Sequence, residues 1–143
     1  MIPSKNILFE AIRRRWDEQA VGSHVTGGIR DVGMTERTAR PYAVLECLED
    51  APFQFTNCSR YDKVTFMITI VGNTPEQVGK LAGVVDSVIQ SAPLGLQGEG
   101  AHLVDCKAAP NKYADWRGYP SALLGYEALI RRDRKKMTPA IAG

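Results

Sequence analysis

From Lys63 to Ala92 the apolar residues first recur at every second position and then at helical spacing, with a sharp boundary between the two patterns. Val64, Phe66, Ile68 and Ile70 share one face of an extended chain, and Thr65, Met67 and Thr69 share the other, which predicts a strand. The alternation stops at Gly72-Asn73. Thr74-Pro75-Glu76-Gln77 then supplies a capping hydroxyl, a proline at the first helical position, an acid facing the helix dipole and a capping-box glutamine. Val78, Leu81, Ala82, Val85, Val88 and Ile89 form one helical stripe that ends before Pro93. This strand-helix unit is the expected core, and its junction is built to start a helix. Pro75 lacks the amide that a bound anion would use there.

Upstream, Ser4 is placed to cap a helix over about 5–20, with Ile7, Leu8, Ala11, Ile12 and Trp16 as its apolar stripe. Gly22 ends it. Residues 21–40 then have no sustained period and read as a long connection that carries a short strand near Gly28–Met34 or an interaction role. Pro41 opens a strand through Leu48, Asp50-Ala51-Pro52 mark a turn, and Phe53–Asn57 begin a second strand of a hairpin that continues into the long strand. Phe53 and Phe55 point the same way; they are either cross-strand packing partners, the reading preferred from the pattern, or an exposed patch awaiting a partner.

Beyond the second helix, Leu94 and Leu96 fold back onto the helix end among glycines. Ala101–Ala108 reads as a strand with Leu103 on one face and His102, Val104 and Cys106 on the other. Asn111–Pro120 mixes Tyr113, Trp116 and Tyr119 with charges and takes no assignment. Ala122–Arg132 alternates again, with Leu124, Tyr126, Ala128 and Ile130 on one face. The order predicts an α+β fold, a mostly antiparallel sheet of four to five strands with two helices packed on one face. Residues 1–132 are expected to form a single domain with a long loop over 21–40, and 133–143 a mobile basic tail.

With 143 residues, 44% hydrophobic and 24% charged, the chain has the size and composition of one soluble domain, and no apolar run is long enough for a membrane span or a signal peptide. Cys47, Cys58 and Cys106 are isolated, and His24 and His102 stand at no metal-ligand spacing to them, so the thiols read as structural and no metal or cofactor is expected. No nucleophile elbow, phosphate loop, zinc-protease motif or dinucleotide fingerprint occurs, and no catalytic residues emerge. Net charge is +2. It does not point to nucleic acid as a specific ligand. Of the two basic runs, Arg13-Arg14-Arg15 spreads around a helix and reads as a solvated face. Arg131 to Lys136, together with Tyr113, Trp116 and Tyr119, would be the working part of the different-class alternative, a small nucleic-acid-binding module.

The order and spacing of these pieces resemble the tail-terminator or tail-completion proteins of tailed bacteriophages. The resemblance rests on the amphipathic helix Ile7 to Trp16, the long loop into Pro41-Tyr42-Ala43-Val44-Leu45, and the strand 64–71. It continues through the helix 75–91 with its turn Leu94-Gly95-Leu96 to a last strand holding Gly125-Tyr126-Glu127-Ala128-Leu129. It spans about residues 5–132. The resemblance implies a non-enzymatic virion protein, assembled in the host cytoplasm, that forms a ring, usually a hexamer, at the head-proximal end of the tail tube. Such a ring stops tube growth and presents a surface to the head-completion or connector protein; a head-tail joining subunit is the near alternative. Its partners would be further copies of itself, the tail tube protein and the connector protein. Ring contacts need two different patches on one subunit. Candidate interface residues are Phe53, Phe55 and Tyr61 of the hairpin and Arg131, Arg132 and Arg134 of the basic run.

Overall fold

The structure, a computed structural model, describes residues 2–32 and 39–133. Helix α1 spans Ser4–Glu18 and helix α2 Pro75–Gln90; the strands are β1 Ile29–Asp31, β2 Tyr42–Phe55, β3 Ser59–Val71, β4 Ala101–Ala108, β5 Lys112–Trp116 and β6 Tyr119–Asp133. All strands join one six-stranded sheet in the order β1-β2-β3-β6-β4, with β5 also paired to β6. Every pairing is antiparallel except β1 with β2. The α+β expectation holds, with one more strand than the upper expectation.

The alternation in β3 and β6 sets which face is covered. Val64, Phe66, Ile68 and Ile70 of β3 and Ala122, Leu124, Tyr126, Ala128 and Ile130 of β6 join Ile7, Leu8, Ile12 and Trp16 of α1 and Val78, Leu81, Val85 and Ile89 of α2 in one buried cluster. Both helices therefore lie on the same face. Each large side chain so buried contributes about 1.5–3 kcal/mol, which makes this layer the main stabilising element. At the start of α2 the Thr74 hydroxyl accepts from the Gln77 amide at 3.2 Å, as the sequence predicts, and the Gln77 side chain reaches back one residue past the cap to accept from the Asn73 amide at 2.8 Å.

Several expectations change. Ser4 is not a cap: Pro3 holds that position without a side-chain cap bond, and Ser4 is buried. The turn expected at Asp50-Ala51-Pro52 is absent, because β2 runs unbroken to Phe55 with bulges between Cys47 and Glu49 and between Pro52 and Gln54. Bulges absorb the irregularity, and no strand pairs with the far side of β2 at Pro52 among the described residues, a position that tolerates proline. In β4 a bulge between Leu103 and Asp105 moves Cys106 onto the face of Leu103, so both pack against the core.

The unassigned Asn111–Pro120 segment forms β5 and a hairpin into β6. Its turn residues Arg117 and Gly118 both have positive φ, 51° and 88°, the geometry a tight hairpin turn requires. Trp116 packs with Tyr42, Val44 and Val71 on the sheet face away from the helices. The connection 21–40 is partly built: Val21 and Val25 are buried, and β1 lies parallel to Ala43–Leu45. A side chain at Gly27 would clash with the Ala39 carbonyl, so glycine lets the two passes of chain close up. Of the tail predicted over 133–143, Asp133 is the last residue of β6 and the rest lies outside the described residues. Arg131, Arg132 and Asp133 belong to β6.

Candidate assembly interface

Strands β2 and β3 form a long hairpin. Its tip, 56–58, is closed by the Thr56 amide donating to the Ser59 carbonyl at 2.8 Å and the Ser59 amide donating to the Thr56 hydroxyl at 3.0 Å. Just before it, Phe53 is 61% exposed and Phe55 60% exposed. The preferred reading of cross-strand packing is therefore overturned in favour of an exposed pair. Phe55 faces Arg60 in the ladder, and the bulge at Phe53 takes that ring out of the regular pairing. Two large apolar side chains are thus held in water near the hairpin tip.

The register brings the candidates to one end of the sheet. Phe55 pairs with Arg60, Arg60 with Arg132, and Arg132 with Ala101; Gln54 pairs with Tyr61, Tyr61 with Arg131, and Arg131 with His102. Tyr61 and Arg131 are half-buried, and the Arg131 guanidinium is bound to Asp133 at 3.0 Å. Arg134 lies outside the described residues. Arg132 is not a surface residue at all: it is 0% exposed. The reason is the β6 alternation, which sends Arg132 to the same face as Ile130 and Ala128.

There it meets a polar network that the sequence reading missed. Arg132 Nη1 donates to Ser4 Oγ at 3.0 Å and to the Ile2 carbonyl at 2.8 Å, and Arg132 Nε donates to the Glu99 carbonyl at 3.2 Å. Ser4 Oγ donates in turn to Asp62 Oδ2 at 2.6 Å, which also accepts from Arg60 Nη2 at 2.8 Å. Arg132 Nη2 lies 3.7 Å from Glu99 Oε2. Burial, and then the neighbouring Arg60 charge, lower the pKa of Arg132. The network fastens the chain's beginning to the ends of β3 and β6. At its outer lip Asp133 accepts from Ser59 Oγ at 3.1 Å and lies 3.1 Å from His102 Nε2. Desolvation opposes its charge, yet the Ser59 hydrogen bond and the Arg131 and His102 charges hold its pKa below the ordinary carboxylate value.

Most of the remaining candidates are committed elsewhere, Tyr113 staying exposed. Arg15 donates to the carbonyls of Ala92 at 2.5 Å and Pro93 at 3.0 Å, and Arg14 to that of Gly95 at 2.9 Å. Helix α2 has no basic residue in its last turn, and α1 supplies one. The solvated-face reading of Arg13-Arg14-Arg15 therefore gives way to helix fastening, with Arg13 paired to Asp31. Tyr119 lies under the Arg40 guanidinium, 3.7 Å from its ring centre. Burial pushes the Cys106 thiol up to about 11 and raises Cys47 as well, so neither is a ready nucleophile. Burial and the hydrogen bond to Asp86 push Tyr126 up. Among the described residues no group of three or more His, Cys, Asp or Glu side chains could hold a metal ion, and no helix is long and apolar enough to cross a membrane.

No protein-family model matches the chain, and no curated protein does. Solved structures do. A chain from the virion of a native gene transfer agent particle superimposes with TM-score 0.68 at 16% identity, covering 84% of this chain and 91% of that one. The bacteriophage SPP1 gp17 protein matches with TM-score 0.52 at 15% identity, covering 93% of each chain. At such identities the likeness establishes a common fold, spread over nearly the whole of both partners.

Proposed function

We propose that this chain is a structural subunit of a tailed phage or phage-like particle, of the tail-terminator kind. It closes into a ring, a hexamer by the resemblance, at the head-proximal end of the tail tube, ends tube growth and offers the other side of the ring to the head connector. Catalysis has no part in this role. The observation that carries the reading is the fold held in common with a virion chain over 84% of this sequence. The exposed aromatic tip of the β2–β3 hairpin supports it, since an assembly subunit keeps apolar surface free for its neighbours.

The nucleic-acid alternative loses some of its parts, while Tyr113 stays exposed and Arg134, Lys135 and Lys136 lie outside the described residues. Trp116 is packed against the sheet, Tyr119 is covered by Arg40, Arg132 is buried and Arg131 is neutralised by Asp133. Light scattering of the purified protein, alone and mixed with the tail tube protein from the same particle, tests the proposal. The expected result is a closed oligomer, or capped tubes of arrested length. A protein that stays monomeric at high concentration and neither binds nor caps tubes overturns it.

A further inference from the structure

A ring made of identical subunits needs a projecting patch on one flank and a receiving patch on the other. On one flank, β1 covers only Ala43–Leu45 of β2, so from Glu46 to the tip that edge has no strand partner among the described residues. Phe53 and Phe55 project there. On the other flank β4 pairs only with β6 among the described residues, and between β4 and the end of α2 lies an open groove of about 350 Å³, where the apolar Leu94, Leu103 and Val104 stand beside the polar Gln90, Ser91 and Asp105. Val104 is exposed, and Leu103 and Cys106 are half-buried.

The two patches lie at the same level along the strands. Pro52 pairs with Asp62, Asp62 with Ile130 and Ile130 with Leu103, while Phe55 leads through Arg60 and Arg132 to Ala101. A second copy set beside the first, displaced across the strands and not along them, therefore brings its aromatic tip to the Leu103–Val104 groove. The successive antiparallel pairings also leave β2 and β4 running in opposite directions, so the two edges meet as antiparallel neighbours. Charge agrees with this direction of joining. Tyr42–Phe55 carries Glu46, Glu49 and Asp50 and no basic residue, whereas residues 101–117 carry His102, Lys107, Lys112 and Arg117 against Asp105 and Asp115.

We infer that Phe53 and Phe55 of one copy seat in the groove between α2 and β4 of the next copy and so close the ring head to tail. This rests on the ring reading above and specifies its contact. Aromatic side chains seated in a groove are the usual energetic anchors of such contacts; here Leu94, Leu103 and Val104 meet the rings while polar groups form the rest of the lining, and the surrounding charges set the direction.

Disulfide trapping tests the seat. In a chain with Cys47, Cys58 and Cys106 changed to Ser, its folding checked by circular dichroism, Phe53→Cys and Val104→Cys are introduced singly and together. Mild oxidation should give a ladder of covalent oligomers from the double variant. A mixture of the two single variants should give covalent dimers and nothing larger. In the otherwise native chain, Phe53→Asp with Phe55→Asp should weaken self-association by about thirtyfold or more, with the thermal midpoint unchanged. Oligomers seen by light scattering without any ladder, or undiminished by the aspartate pair, overturn the seat and leave the ring standing on other surfaces. A protein that never self-associates and never caps tubes overturns both.

Discussion

The end of the sheet where β3 begins and β6 finishes holds two regions that invert the usual sorting of side chains. On the helix side Arg132 is fully buried beside Asp62, Ser4 and Arg60; a few residues away, on the hairpin, Phe53 and Phe55 stand in water. A charge inside is tolerated because it is hydrogen-bonded and paired, and it serves to fasten the first residues to the last strand. Aromatic rings outside have no such internal use. The ladder already fixes the backbone that carries them, so less ordering remains when a partner arrives. One region spends polar groups on fixing the monomer, and the other keeps apolar groups for something beyond it.

The strongest way to break this contrast is to remove the carboxylate. Asp62→Ala leaves Arg60 without its carboxylate and beside the buried Arg132, and it should destabilise the chain by about 3–5 kcal/mol in urea unfolding. Replacing the ion pair together, Asp62→Leu with Arg60→Met, should recover most of that loss, because an apolar pair has no charge to compensate. If the single variant costs nothing, the network is ornamental and the two regions do not differ in kind. Ser4→Ala is a milder form of the same test. It removes one hydroxyl that links Asp62 to Arg132, and about 1–3 kcal/mol should be lost, with hydrogen exchange rising at the start of α1.

How much of this was legible follows from the strands themselves. The even-numbered alternation of β3 and β6 located the core, and the Thr74 box located α2, because both are local patterns that tertiary packing reinforced. The same alternation, carried one step further, would have put Asp62 and Arg132 on the core face, with Arg132 opposite Arg60 and Asp62 opposite Ile130. Treating Arg131 to Lys136 as one basic run concealed it. The bulges at Phe53 and Val104 could not be read, since an inserted residue changes facing without changing residue type. Nor could the helix-fastening role of Arg14 and Arg15, whose acceptors are carbonyls some eighty residues away in sequence. The exposed aromatics were visible as a pair, but their exposure depended on what lay across the ladder.

A smaller effect sharpens the boundary of the buried region. Asp133 has a lowered pKa in the folded chain, so it contributes stability that is present above the unfolded value of about 3.9 and is lost as pH falls through the folded value. Thermal midpoints followed from pH 5 downwards should fall more steeply for the native chain than for Asp133→Asn. Parallel curves would mean that Ser59, Arg131 and His102 do not hold the carboxylate as the distances indicate.

The smallest expected effect on stability belongs to the tip. Phe53→Ser and Phe55→Ser remove rings that touch little in the monomer, so each should change unfolding free energy by no more than about 0.5 kcal/mol. A core phenylalanine such as Phe66, which is buried and stacked on Tyr126 at 5.1 Å, would by contrast cost about 3–5 kcal/mol on truncation to Ala. The two numbers separate the readings of the hairpin. If truncating the tip destabilises the monomer as a core change does, the rings pack against the chain's own surface, and they are not kept for a neighbour. If stability is untouched while assembly fails, the apolar surface of the hairpin serves the next subunit, and the cost of carrying it in water is explained by that use.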